Sequence, residues 1–335
     1  MIEQTIGRVS GGDDLSMDDM SKAIEAIMLG LCSDMEIALL LTALHLKGET
    51  VAEIAGAAAA MRRQMTPIRT HRKQLVDTCG TGGDGSRTFN ISTAAALIAA
   101  AAGANVAKHG NRKVTSLCGS ADVLALLGVN VEADVPAVEA CLDELGICFC
   151  FAPLLHGAMK KVAKVRAQLE TPTIFNLLGP LSNPAAAPFQ LVGVGRQELR
   201  PVLAEALVLL GTERAIVVSG EDGLDEVTIS GPTRVSEAAG GRVRDFVWRP
   251  ADFGVEEASL DELRIETAEE SAAAIRGVLA NEPGPRRDVV VINAAAALWV
   301  AGKAATPSAA AELAAAAISS GAAADLLASL GARTK

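Results

Sequence analysis

Apolar residues recur at helical spacing from Ser16 to Met65, with polar residues between them. Three segments share this pattern: SMDDMSKAIEAIMLG, SDMEIALLLTALHLKG and TVAEIAGAAAAMRRQM. Each begins with Ser or Thr followed by acidic residues, as is typical of a helix N-terminus, and two end in Gly, which favours helix termination. The pattern predicts a small all-helical N-terminal domain over residues 1–66, followed by a linker that starts near Pro67.

From residue 74 onward, short apolar runs alternate with helical segments. QLVDTC, ANVAKHG, ICFCFAP, QLVGVG and RAIVVSG are predicted strands, and most of the segments between them are predicted helices. This alternation is typical of a parallel sheet covered by helices on both faces. We therefore expect a larger α/β domain over residues 74–335 with a mainly parallel central sheet. Helices from about 155–185 are expected to join the small helical domain.

The charge and composition of the chain restrict its partners. It has 335 residues, a formal net charge of -10 and 50% hydrophobic residues, with alanine supplying the excess. An acidic chain is a poor non-specific binder of nucleic acid or anionic membranes, so we expect small-molecule partners instead. The alanine-rich runs are too short to span a bilayer, no secretory signal is visible, and the cysteines form no CxxC pair. These features predict a cytoplasmic protein.

The glycine-rich stretch DTCGTGGDG follows the first predicted strand of the α/β domain and contains GxGxxG at Gly80, Gly82 and Gly85. A dinucleotide-binding site would need an acidic residue at the end of the next strand, where this chain has Lys108 and His109. No Gly-Lys-Ser/Thr follows either, which excludes a Walker A loop. We expect the glycines to let backbone N–H groups approach another kind of anion.

Donors for such an anion come from two loops at neighbouring strand ends. Asn90, Ser92 and Thr93 stand where a helix begins, so their side chains and free N–H groups suit phosphate oxygens; an ordinary N-cap is the alternative. The next strand end, KHGNRKVTSLCGS, offers further donors: Lys108, Asn111, Thr115, Ser116 and Ser120. Two such loops predict a ligand with more than one phosphate.

The segment EDGLDE supplies Asp225 and Glu226 directly after the predicted strand RAIVVSG. Hard carboxylate oxygens at this place suit Mg²⁺, which commonly bridges substrate phosphates. A solvated acidic turn is the alternative explanation.

A basic cluster follows in FAPLLHGAMKKVAKVRAQLE. Helical spacing places His156, Lys160 and Lys164 on one face, with Arg166 on another, where its guanidinium could bind a planar carboxylate. His109 and His156 are acid–base candidates, but no Ser or Cys nucleophile with a partnering Asp is recognisable.

In order and spacing, the segments GTGGD, TFNIST, KHGNR, GSADVL, FAPLLHGAMK, TIFNLLGPLSNPA and DGLDE resemble the anthranilate phosphoribosyltransferase family. The resemblance runs from about Ile24 to the NAAAAL segment near the C-terminus. It implies a nucleoside phosphorylase/phosphoribosyltransferase-like fold and a homodimer formed through the helical domain. The implied reaction joins the phosphoribosyl group of 5-phosphoribosyl 1-diphosphate to the amine of anthranilate, with two Mg²⁺ ions per monomer.

The resemblance also implies roles for individual residues. Those that would bind phosphoribosyl diphosphate are Gly80, Gly83, Asp84, Thr88, Asn90, Ile91, Ser92, Thr93, Lys108, His109, Gly110, Asn111, Arg112, Lys113, Val114, Thr115, Ser116 and Ser120. Those that would contact anthranilate are Gly80, Asn111, Arg166, His109 and His156, and the magnesium ligands would be Ser92, Asp225 and Glu226. The segment HGAMKKVAKVR departs from the family pattern beside the acceptor, where Gly157 replaces a proline, and Ser219 replaces a histidine before DGLDE.

Two other functions are compatible with a fold of this kind. A pyrimidine-nucleoside phosphorylase would use inorganic phosphate without a magnesium-bound diphosphate, and the acidic pair in DGLDE argues against it. A non-catalytic nucleic-acid-binding protein should be basic and lack those acids, whereas this chain is acidic and has them.

Overall fold

The computed structural model of the chain describes residues 2–113 and 118–335. Its first part is helical, with α1 at Ile2–Ser10, α2 at Met17–Met28, α3 at Asp34–Lys47 and α4 at Val51–Gln64. The predicted caps are present: Ser16 accepts from the Asp19 N–H, and both Ser33 and Thr50 form capping boxes with a glutamate. Helices α2, α3 and α4 confirm the sequence pattern. Helix α1 precedes the predicted segment and was missed.

The rest of the chain alternates strands and helices up to the last strands, and ends in helices. The strands are β1 Leu75–Asp77, β2 Asn105–Gly110, β3 Ile147–Phe151, β4 Phe189–Gly193, β5 Arg214–Gly220, β6 Thr233–Ala239 and β7 Arg242–Trp248. The helices are α5 Ile91–Ala101, α6 Ser120–Leu126, α7 Val135–Leu145, α8 Ala152–Leu155, α9 Met159–Leu169, α10 Phe175–Leu178, α11 Leu199–Leu209, α12 Ala268–Leu279, α13 Pro285–Val300, α14 Pro307–Ser319 and α15 Ala322–Arg333. Two short 3-10 turns lie at Pro250–Phe253 and Leu260–Leu263.

Within the described residues the strands form one sheet in the order β3-β2-β1-β4-β5-β6-β7. Strands β1 to β5 are mutually parallel, and β6 and β7 are antiparallel additions at one edge. This confirms the α/β fold with a mainly parallel sheet. Because β1 to β5 are parallel, the loops after β1, β2 and β5 lie at the same edge of the sheet. The strand order reverses at β1, with β2 on one side and β4 on the other, and ligands of open α/β sheets bind at such a reversal.

Two hydrophobic clusters hold these layers together. The larger one packs α5, α13 and other helices against the sheet. The second joins the N-terminal helices to α9, α10 and α11 and to one face of β4 and β5, through residues such as Val162, Phe175 and Leu203. The helices between residues 159 and 178 therefore share a core with the N-terminal helices.

The alanine-rich tail is packed helix, because Ala310, Ala314, Ala323 and Leu330 of α14 and α15 are buried. In the part of the chain that the structure describes, no single helix has both the length and the apolar character needed to cross a membrane. Helices α14 and α15 meet that test only as a pair, and the pair bends by 66° at its junction.

Candidate active site at the carboxyl ends of the strands

A cavity of about 630 Å³ opens at the carboxyl ends of β1, β2 and β5, and we call it the strand-end cavity. Its described lining comes from several separate segments of the chain. These are residues 79–92, residues 108–112 with 118–120, the single residues Ala152 and Gly179, and the acidic pair Asp225 and Glu226. The two predicted anion loops and the predicted metal acids thus share one cavity.

The glycine-rich loop is shaped by its contact with the end of β4. Thr81 donates its N–H to the Gly193 carbonyl oxygen at 2.9 Å, and a Cβ on Gly80 would lie only 2.7 Å from that same oxygen. Gly83 has a φ of 81°, a conformation that other residues rarely adopt. On the other side of β4, a Cβ on Gly193 would overlap the Asp225 carbonyl oxygen. Glycine at the end of β4 therefore lets the glycine-rich loop and the acidic turn approach each other.

Helix α5 begins inside the cavity, and its first residues are not an ordinary N-cap. The Asn90 side chain makes no capping hydrogen bond to the described residues of the helix. Its Nδ2 donates to the Cys118 carbonyl oxygen at 3.1 Å, and its Oδ1 accepts from the Ser271 hydroxyl at 2.8 Å. The Asn90 N–H also donates to Ser271 Oγ, at 3.0 Å. Asn90 therefore joins the two anion loops to helix α12.

Lys108 brings a positive charge to the floor of the cavity although its side chain is buried. Its Nζ donates to the Thr78 carbonyl and hydroxyl oxygens at 3.3 and 3.2 Å, and to Ser92 Oγ at 3.3 Å. Each of these distances is long for a hydrogen bond to an ammonium group, so the bonds to these neutral oxygens are weak. The Lys108 charge also attracts the Asp77 and Glu226 carboxylates, and it opposes the rise in their pKa values that burial causes. A bound anion would complete its coordination.

Three carboxylates line the same cavity: Asp84, Asp225 and Glu226. Glu226 Oε1 accepts from the Ser92 N–H at 3.1 Å, and Asp84 Oδ2 accepts from the Asp225 N–H at 3.3 Å. Burial raises the pKa of Glu226 to about 7, and the positive charge of Lys108 opposes that rise. Burial, and then the negative charges of Asp84 and Glu226, hold the pKa of Asp225 well above its usual range. Carboxylates that repel each other in this way are stabilised by a cation.

The oxygen atoms of Asp225, Glu226 and Ser92 are chemically suited to bind magnesium. The described residues contain no group of three or more His, Cys, Asp or Glu side chains arranged to enclose a metal. Mg²⁺ does not need such a cage, because it keeps waters and is held by one or two carboxylates together with substrate phosphates. Asp225 and Glu226, beside the Ser92 hydroxyl, match that pattern.

His109 and His156 form a buried neutral pair. Their Nε2 atoms lie 3.1 Å apart, and His109 Nδ1 lies 3.2 Å from the Gly179 carbonyl oxygen, which assigns the His109 proton to Nδ1. His156 Nε2 then donates to His109. Burial lowers the pKa of His109 to about 4 and that of His156 to about 3. Neither imidazole is therefore a proton donor in its charged form near neutral pH.

Asp77 fixes the backbone beside His109. Its carboxylate accepts from the His109 N–H at 3.1 Å and from Asn183 Nδ2 at 2.7 Å. Asn183 also donates to the Ala107 carbonyl oxygen at 2.8 Å. Asp77 is buried at the end of β1, and burial raises its pKa to about 6. These bonds tie the ends of β1 and β2 to the segment that carries Gly179.

Arg166 is not among the described residues that line the strand-end cavity. Its Nη2 donates to Asn176 Oδ1 at 3.1 Å, and its guanidinium lies 5.9 Å from the centre of the Phe175 ring. The expectation of one helical face for His156, Lys160 and Lys164 was wrong, because His156 precedes helix α9. Lys164 instead pairs with Asp34 of α3 at 2.7 Å.

Most of the predicted site residues line the cavity. They are Gly80, Gly83, Asp84, Thr88, Asn90, Ile91, Ser92, Lys108, His109, Gly110, Asn111, Arg112, Ser120, Asp225 and Glu226. Thr93 and Lys113 are not among the lining residues that the structure describes, nor is His156, which reaches the cavity only through His109. Val114, Thr115 and Ser116 lie outside the described residues.

Sequence reasoning missed the residues that hold the site from behind: Asp77, Thr78, Asn183, Ser271 and Asn293. A usable signal existed for Asn293, because it is a polar residue inside the apolar segment VVVINAAAALWV of α13. Asp77, Thr78 and Asn183 lie in the recognised segments DTCGTGGDG and TIFNLLGPLSNPA, but no role was assigned to them there. Ser271 carried no comparable signal.

Comparison with known proteins shows which family has this two-domain architecture. The helical bundle domain of a glycosyl transferase family matches residues 3–65, and the α/β domain of the same family matches residues 72–324. The anthranilate phosphoribosyltransferase of Moorella thermoacetica is 51% identical over 97% of this chain and 96% of its own length. That of Geotalea daltonii is 46% identical over 100% of this chain and 99% of its own.

Solved structures of anthranilate phosphoribosyltransferases have the same fold as this chain. The anthranilate phosphoribosyltransferase of Thermus thermophilus has a TM-score of 0.93 and 42% identity, covering 98% of each chain. The Saccharomyces cerevisiae enzyme in complex with PRPP and Mg has a TM-score of 0.88 and 28% identity, covering 99% of this chain and 98% of its own. Fold and site thus define a glycosyl transferase with a helical and an α/β domain.

Within that class, this chain belongs to the anthranilate phosphoribosyltransferase family. The comparisons support anthranilate phosphoribosyltransferase activity over the phosphorylase and the nucleic-acid-binding alternatives.

Proposed function

We propose that this chain transfers the phosphoribosyl group of 5-phosphoribosyl 1-diphosphate to the amine of anthranilate, releasing diphosphate. The observation that carries the proposal is the meeting of two candidate anion-binding loops, Lys108 and a half-buried acidic pair in one cavity. A sugar that carries a phosphate and a diphosphate needs both kinds of group: cationic and N–H donors for its oxygens, and carboxylates for the cation that accompanies it.

The donor substrate is assigned to the glycine-rich loop, the start of α5 and the loop after β2. Backbone N–H groups at the start of α5 and the Lys108 ammonium would hold phosphate oxygens. The segment of residues 108–116 with Ser120 would hold the remaining oxygens, although part of it lies outside the described residues. We propose that Ser92, Asp225 and Glu226 hold two Mg²⁺ ions per monomer. When bound, these ions would stabilise the negative charge that develops on the departing diphosphate.

The reaction itself needs little proton chemistry from the protein. The amine of anthranilate is neutral at physiological pH and can attack C1 of the ribose without a strong base. The neutral state of His109 and His156 accords with this, since neither is poised as a charged acid. The protein would contribute mainly by positioning both substrates and by excluding water that would hydrolyse the donor.

We place anthranilate beside Gly80, Asn111 and His109, with Arg166 as the partner of its carboxylate. For this role the Arg166 side chain must leave Asn176 and turn toward the cavity. An Arg166→Ala variant should raise the KM for anthranilate, and should leave the KM for phosphoribosyl diphosphate close to the parent value. An unchanged anthranilate KM would remove Arg166 from the acceptor site.

We further propose a cytoplasmic homodimer formed through the helical domain, with domains divided at residues 1–66 and 74–335. Helix α3 and the turn that follows α2 expose large apolar side chains, which supports an interface there. They include Leu31 at 74% exposure, Met35 at 73% and Leu46 at 80%.

The activity is tested by following the loss of anthranilate fluorescence after addition of phosphoribosyl diphosphate and Mg²⁺. The parent protein should consume anthranilate only when both are present. The double variant Asp225→Asn, Glu226→Gln should lower turnover by orders of magnitude at fixed Mg²⁺. Near-normal turnover of that variant would remove these residues from the metal site, and no consumption by the parent would refute the activity.

A further inference from the structure

Asn293 is a fully buried polar residue in the middle of the apolar helix α13. A buried amide is destabilising unless its donor and acceptor atoms are hydrogen-bonded. Its Oδ1 accepts from the Val227 N–H at 2.9 Å, and its Nδ2 donates to the Val227 and Val289 carbonyl oxygens, both at 2.8 Å. The amide thus pairs with both backbone groups of Val227, as a neighbouring strand would.

Val227 directly follows Glu226, so this pairing fixes the peptide groups on both sides of Val227. On the other side of the acidic turn, the Glu226 carboxylate accepts from the Ser92 N–H at 3.1 Å. Glu226 is therefore held between helix α5 in front and helix α13 behind. Packing alone does not require an amide here, since Val289 and Ala297, one turn away on the same face of α13, are buried and apolar.

We propose that Asn293 is a positioning residue that sets the orientation of the Glu226 carboxylate for its cation. This inference rests on the proposed function, in which Glu226 takes part in holding Mg²⁺. Asn293 acts through the backbone and does not line the described part of the cavity. Residues that orient metal ligands in this way typically change metal affinity about 10- to 100-fold when they are replaced.

The test uses two variants of Asn293. Asn293→Ala removes all three hydrogen bonds, whereas Asn293→Ser retains a hydroxyl group that can form a hydrogen bond and loses less side-chain volume. Leu298→Ala is the matched control, because Leu298 is fully buried on the same helix and its truncation also leaves a cavity. Circular dichroism and thermal unfolding establish that each variant is folded. Mg²⁺ is then titrated calorimetrically into enzyme saturated with phosphoribosyl diphosphate, without anthranilate.

We expect Asn293→Ala to weaken Mg²⁺ binding by about tenfold or more. Asn293→Ser should weaken it less, and Leu298→Ala should leave it within about twofold of the parent despite a lower Tm. The KM for anthranilate should stay within about twofold in all three variants. A purely structural role predicts equal effects of Asn293→Ala and Leu298→Ala on Mg²⁺ binding, and that result would overturn the inference. If Asn293→Ala does not fold, unchanged Mg²⁺ binding by Asn293→Ser would overturn it as well.

Glu226→Gln, titrated in parallel, separates this inference from the function on which it rests. If Glu226→Gln weakens Mg²⁺ binding and Asn293→Ala does not, only the role of Asn293 fails. If Glu226→Gln binds Mg²⁺ normally, the proposed metal site fails and the inference fails with it.

Discussion

The buried pair of His109 and His156 predicts a specific loss of stability in acid. Their folded-state pKa values, about 4 and about 3, lie below the ordinary value of 6.5. Below pH 6.5 the unfolded chain therefore binds protons at these positions that the folded chain does not, so stability falls as the pH falls. The loss should begin near pH 6.5 and continue to about pH 4 for His109 and about pH 3 for His156.

For each proton that only the unfolded chain binds, the free energy of unfolding changes by about 1.36 kcal/mol per pH unit. At pH 5 each histidine should then lower the free energy of unfolding by about 2 kcal/mol relative to pH 7. Asp77, Asp225 and Glu226 have raised pKa values and oppose this trend, because ionisation of these carboxylates destabilises the fold as the pH rises. The histidine contribution must therefore be read from a variant and not from the parent alone.

The assay is urea unfolding of the metal-free protein at pH 7 and pH 5. The double variant His109→Gln, His156→Gln should lose about 4 kcal/mol less than the parent over this interval. The matched control replaces the two exposed histidines, with His45→Gln and His71→Gln, and should follow the parent. If the buried-pair variant and the parent lost equal stability on acidification, the assignment of a neutral buried pair would be refuted.

Two further predictions concern the neighbouring strand end and the helical surface. Gly193→Ala should lower kcat/KM by at least about tenfold, because its Cβ would overlap the Asp225 carbonyl oxygen and displace the acidic turn; parent-like kinetics of the folded variant would contradict this. Leu31→Glu combined with Leu46→Glu should convert the proposed dimer to a monomer in light scattering, whereas Val247→Glu, at an exposed position on β7, should not. A dimer that survives the leucine changes would move the interface elsewhere.

The sequence predicted the parts of this molecule that depend on local pattern. Capping residues such as Ser33 and Thr50 mark helix starts, and the β5 strand is an apolar run followed by the acidic turn. The loops after β1, β2 and β5 could be assigned to one edge because parallel strands present their carboxyl ends together. That rule is enough to predict that Ser92, Lys108 and Glu226 lie in one cavity.

Other features depend on contacts between distant parts of the chain. Gly193 reads as an ordinary strand residue, and only its contacts with Gly80 and Asp225 on either side of β4 explain why a side chain is excluded. The partner of Arg166, Asn176, lies in another helix, so helical spacing could not place its guanidinium. Helix α1 lies before the segment in which the apolar periodicity is recognisable.

The interior polar residues were the hardest to predict. Asn293 and Ser271 are far in sequence from their partners, and the packing of α12 and α13 brings them together. Ser271 bonds the cavity residue Asn90, and Asn293 bonds Val227 next to Glu226. A buried asparagine in an alanine-rich helix could have been noticed as unusual. Its partner, the backbone of Val227, could not have been named.

The central claim is that one strand-end cavity holds the phosphates of the donor and the accompanying cation. The most direct measurement is a crystal structure of this protein with phosphoribosyl diphosphate and Mg²⁺. We predict diphosphate oxygens against the glycine-rich loop and the start of α5, with metal density beside Asp225 and Glu226. Density for the ligand at another surface, with the strand-end cavity holding only solvent, would contradict the account.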